Sequence, residues 1–186
     1  VCVWKPSKTA VYSAHLIMEI LKEAGLPDGV INLVYCSGPT AADVIFKHKD
    51  FAGVHFTGST AVFNDIWANI VNNIDKYRSY PRIVGETGGK DYIFADPTAS
   101  AKEVATAIVR GAFEYQGQKC SAASRAYIPS NLWPEIETLV KKDLAEIKVG
   151  GIEDFRNFVN AVIDETSFNK LSATIDAAKT SKDAEI

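Results

Sequence analysis

Phe51-Ala52-Gly53-Val54-His55-Phe56-Thr57-Gly58-Ser59-Thr60 is followed by Phe63, Ile66, Trp67, Ile70, Ile74 and Tyr77 at three- to four-residue steps. A short apolar run, a Gly-Ser turn and a helical stripe, in that order, spell strand, turn, helix. Pro81 to Gly85 then reads as a further strand. Two strands joined through a helix lie parallel, so this stretch sets the fold class.

The same rhythm runs upstream. Val1 to Trp4 is a strand stopped by Lys5-Pro6-Ser7, where Ser7 or Thr9 can cap a helix. Val11, Ala14, Ile17, Met18, Leu21 and Ala24 form that helix's apolar stripe, and Gly25 with Pro27 supplies its stop. Val30 to Val34 is a second strand, followed by the turn Ser37-Gly38-Pro39-Thr40 and a shorter helix to about Lys47. Downstream, Tyr92 to Ala95 is a strand. Ser100 caps a helix striped by Val104, Ala107, Ile108, Gly111, Ala112 and Tyr115. Arg125 to Ile128 is another strand, Ser130 caps a helix through Ile136, Leu139, Val140, Leu144 and Ile147, and Phe168, Leu171, Ile175 and Ala178 mark a last helix. The expected fold is α/β, a parallel sheet with covering helices. Ligands of such sheets collect at the carboxyl ends of the strands, so the turns at Lys5, Gly38 and Gly58 should share one edge. A domain boundary is expected near Gly88-Gly89, dividing residues 1–88 from 89–186.

Composition narrows the class. The chain has 186 residues, 47% of them hydrophobic, enough to bury a core. Its 20 basic and 23 acidic residues are interspersed for a net charge of −3, which offers no basic stripe for nucleic acid and no polybasic membrane anchor. Cys2, Cys36 and Cys120 are odd in number and widely spaced, unlike a disulfide framework. Cys2 and Cys36 are expected to be packing residues in or beside strands. His15, His48 and His55 are scattered, so no metal site is expected. The chain opens at Val1 inside a strand and stops at Ile186, as an internal piece of a longer polypeptide would.

Two motifs carry chemistry. Gly85-Glu86-Thr87-Gly88-Gly89-Lys90-Asp91 sets a carboxylate before paired glycines that let the backbone approach another group closely. Phe113-Glu114-Tyr115-Gln116-Gly117-Gln118-Lys119-Cys120-Ser121-Ala122 sets a thiol in a loop after a helix, 34 residues beyond Glu86. A cysteine attacks as its thiolate, and a nearby carboxylate can deprotonate water. Lys119 is adjacent to the thiol in sequence, though its side chain need not face it. From the residues alone, two turns that happen to carry a Glu and a Cys remain the other reading. A thiol hydrolase would need a histidine set for Cys120, and no local signature supplies one.

In this order and spacing the two motifs resemble the glutamate and cysteine signatures of the aldehyde dehydrogenase superfamily. Together with Asp154-Phe155-Arg156-Asn157-Phe158 they are most similar to the branch that oxidises glutamate 5-semialdehyde in proline breakdown. The resemblance implies a Rossmann-like cofactor domain followed by part of an α/β catalytic domain. It implies Cys120 as the nucleophile, passing through a thiohemiacetal and a thioester, and Glu86 as the base, partly desolvated and able to swing. It implies NAD as cofactor, contacted by Lys5, Gly38, Pro39, Gly58, Ser59 and Thr87, and a substrate carboxylate held by Ser121. The family's oxyanion Asn would lie upstream of Val1. Lys8 stands where many relatives carry an acidic residue near the ribose, which leaves NAD against NADP open. The partners implied are a small-molecule semialdehyde and, in the full-length protein, further copies of itself. The location implied is the mitochondrial matrix in a eukaryote and the cytoplasm in a bacterium. Another aldehyde as substrate, or an inactive dehydrogenase piece, remain the alternatives.

Overall fold

In a computed structural model, which describes residues 1–183, the chain divides into two compact units, Val1–Thr87 and Gly88–Ile186. The reading of the chain end at Ile186 lies outside the described residues. The fold is α/β, and every strand pair among the described residues is parallel. Among the described residues the pairing falls into three two-stranded ladders.

In the first unit β1 (Cys2–Trp4) pairs with β2 (Ile31–Leu33), with α1 (Val11–Glu23) between them in the chain. Ser7 caps a short 3-10 turn, Lys8–Ala10, that leads into α1. Gly25, at φ +92°, ends α1: its N–H reaches the Lys22 carbonyl, and the N–H of Leu26 reaches that of Leu21. That is the left-handed stop that a residue without Cβ permits. Then α2 (Gly38–Ile45) starts on Ser37, whose hydroxyl accepts from the Thr40 N–H at 3.2 Å.

The decisive stretch forms β3 (Gly53–Thr57) and α3 (Thr60–Val71), and β3 pairs with β4 (Arg82–Glu86) from Gly53↔Arg82 to Thr57↔Glu86. Here α3 is shorter than its stripe predicts. Asn side chains compete with helical hydrogen bonds, and Asn73 donates to the Asn69 carbonyl at 2.8 Å where α3 gives way to a 3-10 turn, Ile74–Lys76. Ile74 and Tyr77 therefore leave the helix. Ile74 is half exposed, while Tyr77 packs on Phe51 and donates its O–H to the Phe46 carbonyl at 2.7 Å. Burial pushes the Tyr77 phenol up. Phe46, Phe51 and Ile70 form the core of this unit, with Ile66, Val54 and Ile83 against them.

In the second unit β5 (Asp91–Phe94) pairs with β6 (Ala123–Tyr127), and α4 (Ala101–Phe113) packs on α5 (Trp133–Glu146). Ala101, Val104, Ala105 and the fully buried Ile136 make the core, small residues of α4 admitting the larger side chain of α5. Ser100 caps α4 as expected, accepting from the Glu103 N–H. Ser130 does not cap α5. The Pro129 carbonyl accepts from Leu132 and Trp133 instead, and the helix begins at Trp133. Tyr115 falls outside α4, because the backbone turns left-handed there, and its side chain is exposed. Asp164 caps α6 (Glu165–Thr180), which buries none of its residues. Cys2 and Cys36 are exposed rather than packed: β1 is a three-residue strand with one neighbour, and Cys36 lies in the loop after β2.

Candidate functional site

The turns after β1 and β2 come together in the first unit. Lys5, Ser7, Lys8, Cys36, Ser37 and Gly38 line a cleft of about 620 Å³. Lys5 is half-buried and donates its ammonium to the Pro6 carbonyl at 2.8 Å. Gly38 and Pro39 form the first turn of α2, both exposed. Two lysines, two hydroxyls and the start of a helix make a donor set that suits an anionic, sugar-bearing ligand. This set fits a dinucleotide.

Gly58 does not line that cleft. Its N–H donates to the Glu86 carbonyl at 3.0 Å, joining the Gly-Ser turn to the end of β4. The Ser59 hydroxyl accepts from the Val62 N–H at 3.3 Å and so caps α3. The N–H groups of the first turn of α3 have no carbonyl within the helix to bond, and they face the same pole of its dipole. Glu86 is exposed at the end of β4, which corrects the expectation of partial desolvation: its backbone is paired with Thr57 and Gly58, but as the last residue of the strand it stays open to solvent. Thr87 beside it is half-buried.

Cys120 belongs to the second unit. The Ala122 N–H donates to the Lys119 carbonyl at 3.2 Å, so Cys120 and Ser121 occupy the two central positions of a turn, both exposed. The turn leads directly into β6, which starts at Ala123, two residues earlier than the sequence suggests. Gly89 lies against it: a Cβ built there would stand 2.3 Å from the Cys120 carbonyl oxygen. The second glycine after Glu86 is thus the residue that admits the Cys120 backbone. Lys119 does not serve the thiol. Its ammonium is bound to Glu114, which also pairs with Arg110 at 2.6 Å. The Lys119 hydrogen bond, then that of Arg110, holds the Glu114 carboxyl below its usual range.

Several residues here were not singled out by the sequence. The Arg110–Glu114 pair was visible as a four-residue helical spacing. Gln116 and Gln118 carried no signal, since their partners lie 45 residues away: Gln116 Nε2 donates to the Ala161 carbonyl at 2.8 Å and Gln118 Oε1 accepts from the Ile163 N–H at 3.0 Å. Among the described residues no group of three or more His, Cys, Asp or Glu side chains could hold a metal ion, and no helix is long and apolar enough to cross a membrane.

Residues 1–186 match the model of the aldehyde dehydrogenase family. The mitochondrial delta-1-pyrroline-5-carboxylate dehydrogenase of Dictyostelium discoideum is 49% identical over 188 residues, covering 100% of this chain and 34% of its own length. The human mitochondrial enzyme of the same name is 40% identical over 182 residues, covering 97% and 32%. Among solved structures, the Mycobacterium tuberculosis delta-pyrroline-5-carboxylate dehydrogenase bound with NAD superposes with a TM-score of 0.91 at 46% identity, over 97% of this chain and 34% of that one. The chain spans about a third of the length of the curated relatives it matches.

Proposed function

The chain belongs to the aldehyde dehydrogenase family, and from that premise we propose that the polypeptide carrying it oxidises L-glutamate 5-semialdehyde, the open form of 1-pyrroline-5-carboxylate, to L-glutamate. On this reading residues 1–88 bind the cofactor and 89–186 carry the nucleophile. The observation that carries the proposal is the Lys119–Ala122 turn, which presents Cys120 and Ser121 together to solvent with Gly89 packed beneath the Cys120 carbonyl.

Cys120 Sγ adds to the aldehyde carbon as a thiolate, giving a thiohemiacetal that becomes a thioester on the same sulfur when oxidised. Lys5, Gly38, Pro39, Gly58, Ser59 and Thr87 are the residues that would hold NAD, which supplies the hydride acceptor when bound. Glu86 takes a proton from water, the water attacks the thioester carbon, and the Cys120 thiol leaves as glutamate is released. The Ser121 hydroxyl, one residue from the sulfur, donates to the carboxylate at the far end of the substrate.

The Dictyostelium discoideum and human relatives carry mitochondrial names; a eukaryotic source would put this enzyme in the mitochondrial matrix, a bacterial one in the cytoplasm. The partners of this reading are the semialdehyde and further copies of the chain, with neither nucleic acid nor membrane. The test is NADH formation by the full-length polypeptide with glutamate semialdehyde beside a short unbranched aldehyde. Cys120→Ala should abolish turnover with both. Glu86→Gln should keep a first burst of NADH and lose at least about 100-fold in steady-state rate. Equal rates on the two aldehydes would refute the substrate, and an active Cys120→Ala variant would refute the mechanism.

A further inference from the structure

Between α4 and Cys120 the backbone makes a turn that the chain does not favour by itself. Tyr115 and Gln116 sit at φ +54° and +58°, and Gly117 follows at +67°. Side chains with a Cβ avoid this region, and two such residues in succession stay there only where surrounding contacts hold them. Within the turn, the Gln118 N–H donates to the Tyr115 carbonyl at 3.0 Å, and the Gln118 side-chain amide reaches the same oxygen at 3.4 Å.

Glu114 and Lys119 pair across the turn, and the long-range hydrogen bonds to it come from the segment Asn160 to Asp164. Gln116 bonds the backbone of Ala161 and Gln118 bonds the backbone of Ile163, both at an offset of 45 residues. The two bonds share one offset, so Gln116 and Gln118 meet the backbone of Ala161 and Ile163 as two rungs in register. That segment is anchored at both ends. Asn160 donates its side-chain amide to the Gly150 carbonyl at 2.9 Å, and Asp164 caps α6 by accepting from the Ser167 N–H at 2.8 Å. A fixed segment thus grips a strained turn that ends three residues before the nucleophile.

We infer that Gln116 and Gln118 are positioning residues: as a two-rung clip they fasten the left-handed Tyr115–Gly117 turn to the Ala161–Ile163 segment and so fix where Cys120 stands. The inference rests on the reading of Cys120 as the nucleophile. Neither amide touches the reacting atoms, so losing the clip affects the chemical step rather than cofactor binding. Once one rung is lost the turn can relax, so the two rungs act as one device.

The test uses Gln116→Met, Gln118→Met and the double variant in the full-length polypeptide, methionine keeping the length and losing the amide. Hydrogen exchange should accelerate at least tenfold in peptides covering 114–122 and 161–164, with α4 and α5 unchanged, which also certifies that the variants fold. Each single variant should lower kcat about tenfold and leave KM for NAD within twofold, and the double should fall little further. Unchanged exchange overturns the clip. Accelerated exchange with an unaltered kcat overturns the positioning role, as does a loss that multiplies fully in the double. If the wild-type protein itself oxidises no semialdehyde, the functional reading fails separately. The inference is then judged by iodoacetamide alkylation of Cys120, which the variants should change at least threefold; an unchanged rate overturns it.

Discussion

Replacing Gly89 by alanine would set a methyl carbon 2.3 Å from the carbonyl oxygen of Cys120 and 2.5 Å from Oδ2 of Asp91. The Asp91 contact is cheap to relieve, because a carboxylate can turn away. The Cys120 contact is with backbone. Against the 3.0 Å that Cβ atoms essentially never undercut, the deficit is about 0.7 Å, and the Cys120 peptide must supply it. Gly89 is not among the positive-φ glycines, so the cost is steric. Overpacking of this kind costs about 1–3 kcal/mol, and a reacting group misplaced by about 1 Å loses on the order of 100-fold. Gly89→Ala should therefore lower kcat roughly 10- to 100-fold and the unfolding free energy by about 1–3 kcal/mol. Gly111→Ala is the matched control in the same unit. Its Cβ would meet Ala123 Cβ at 3.4 Å and Ile93 Cδ1 at 3.9 Å, ordinary contact, within α4. Helix entropy then favours the alanine by about 0.5–1 kcal/mol. Urea unfolding at constant slope and NADH formation read both variants. If Gly89→Ala kept kcat within twofold and its unfolding midpoint, the close approach between the glycine turn and Cys120 would not govern the site.

Two more tests address packing and charge. Ile136 is fully buried where α5 meets α4, so Ile136→Ala should cost about 2–5 kcal/mol by chemical denaturation; a loss under about 1 kcal/mol would contradict the packing. The folded state holds the Glu114 carboxyl below its ordinary value of 4.5, first through Lys119, so its contribution is full at neutral pH and fades as pH falls through the lowered value. The Tm difference between wild type and Glu114→Gln should accordingly be constant from pH 6 to 8 and shrink below about pH 4.5. A difference that grew toward acid would reverse the assigned sign.

The sequence determined the α/β alternation, because short-range rules govern it: the stripe of α1 and its glycine stop, the serines ahead of α2, α3 and α4, and the Gly-Ser turn between β3 and α3. For Glu86 and Cys120 the residue types alone left two ordinary turns as the other reading, and it is the resemblance of their motifs to the family's that proposes them as base and nucleophile. Where local signals competed, the sequence failed. An apolar stripe carried α3 past Asn73, where a side-chain amide bonds the helix's own carbonyl, and carried α4 through Tyr115, where the backbone turns left-handed. Only the tertiary structure decided that Lys119 pairs with Glu114, that Gly89 lies under the Cys120 carbonyl, and that Gln116 and Gln118 bond Ala161 and Ile163. These contacts join residues whose side chains show nothing of their partners along the chain. Hydrogen bonds and close approaches depend on distance in space, which the packing of α4, β5 and β6 sets.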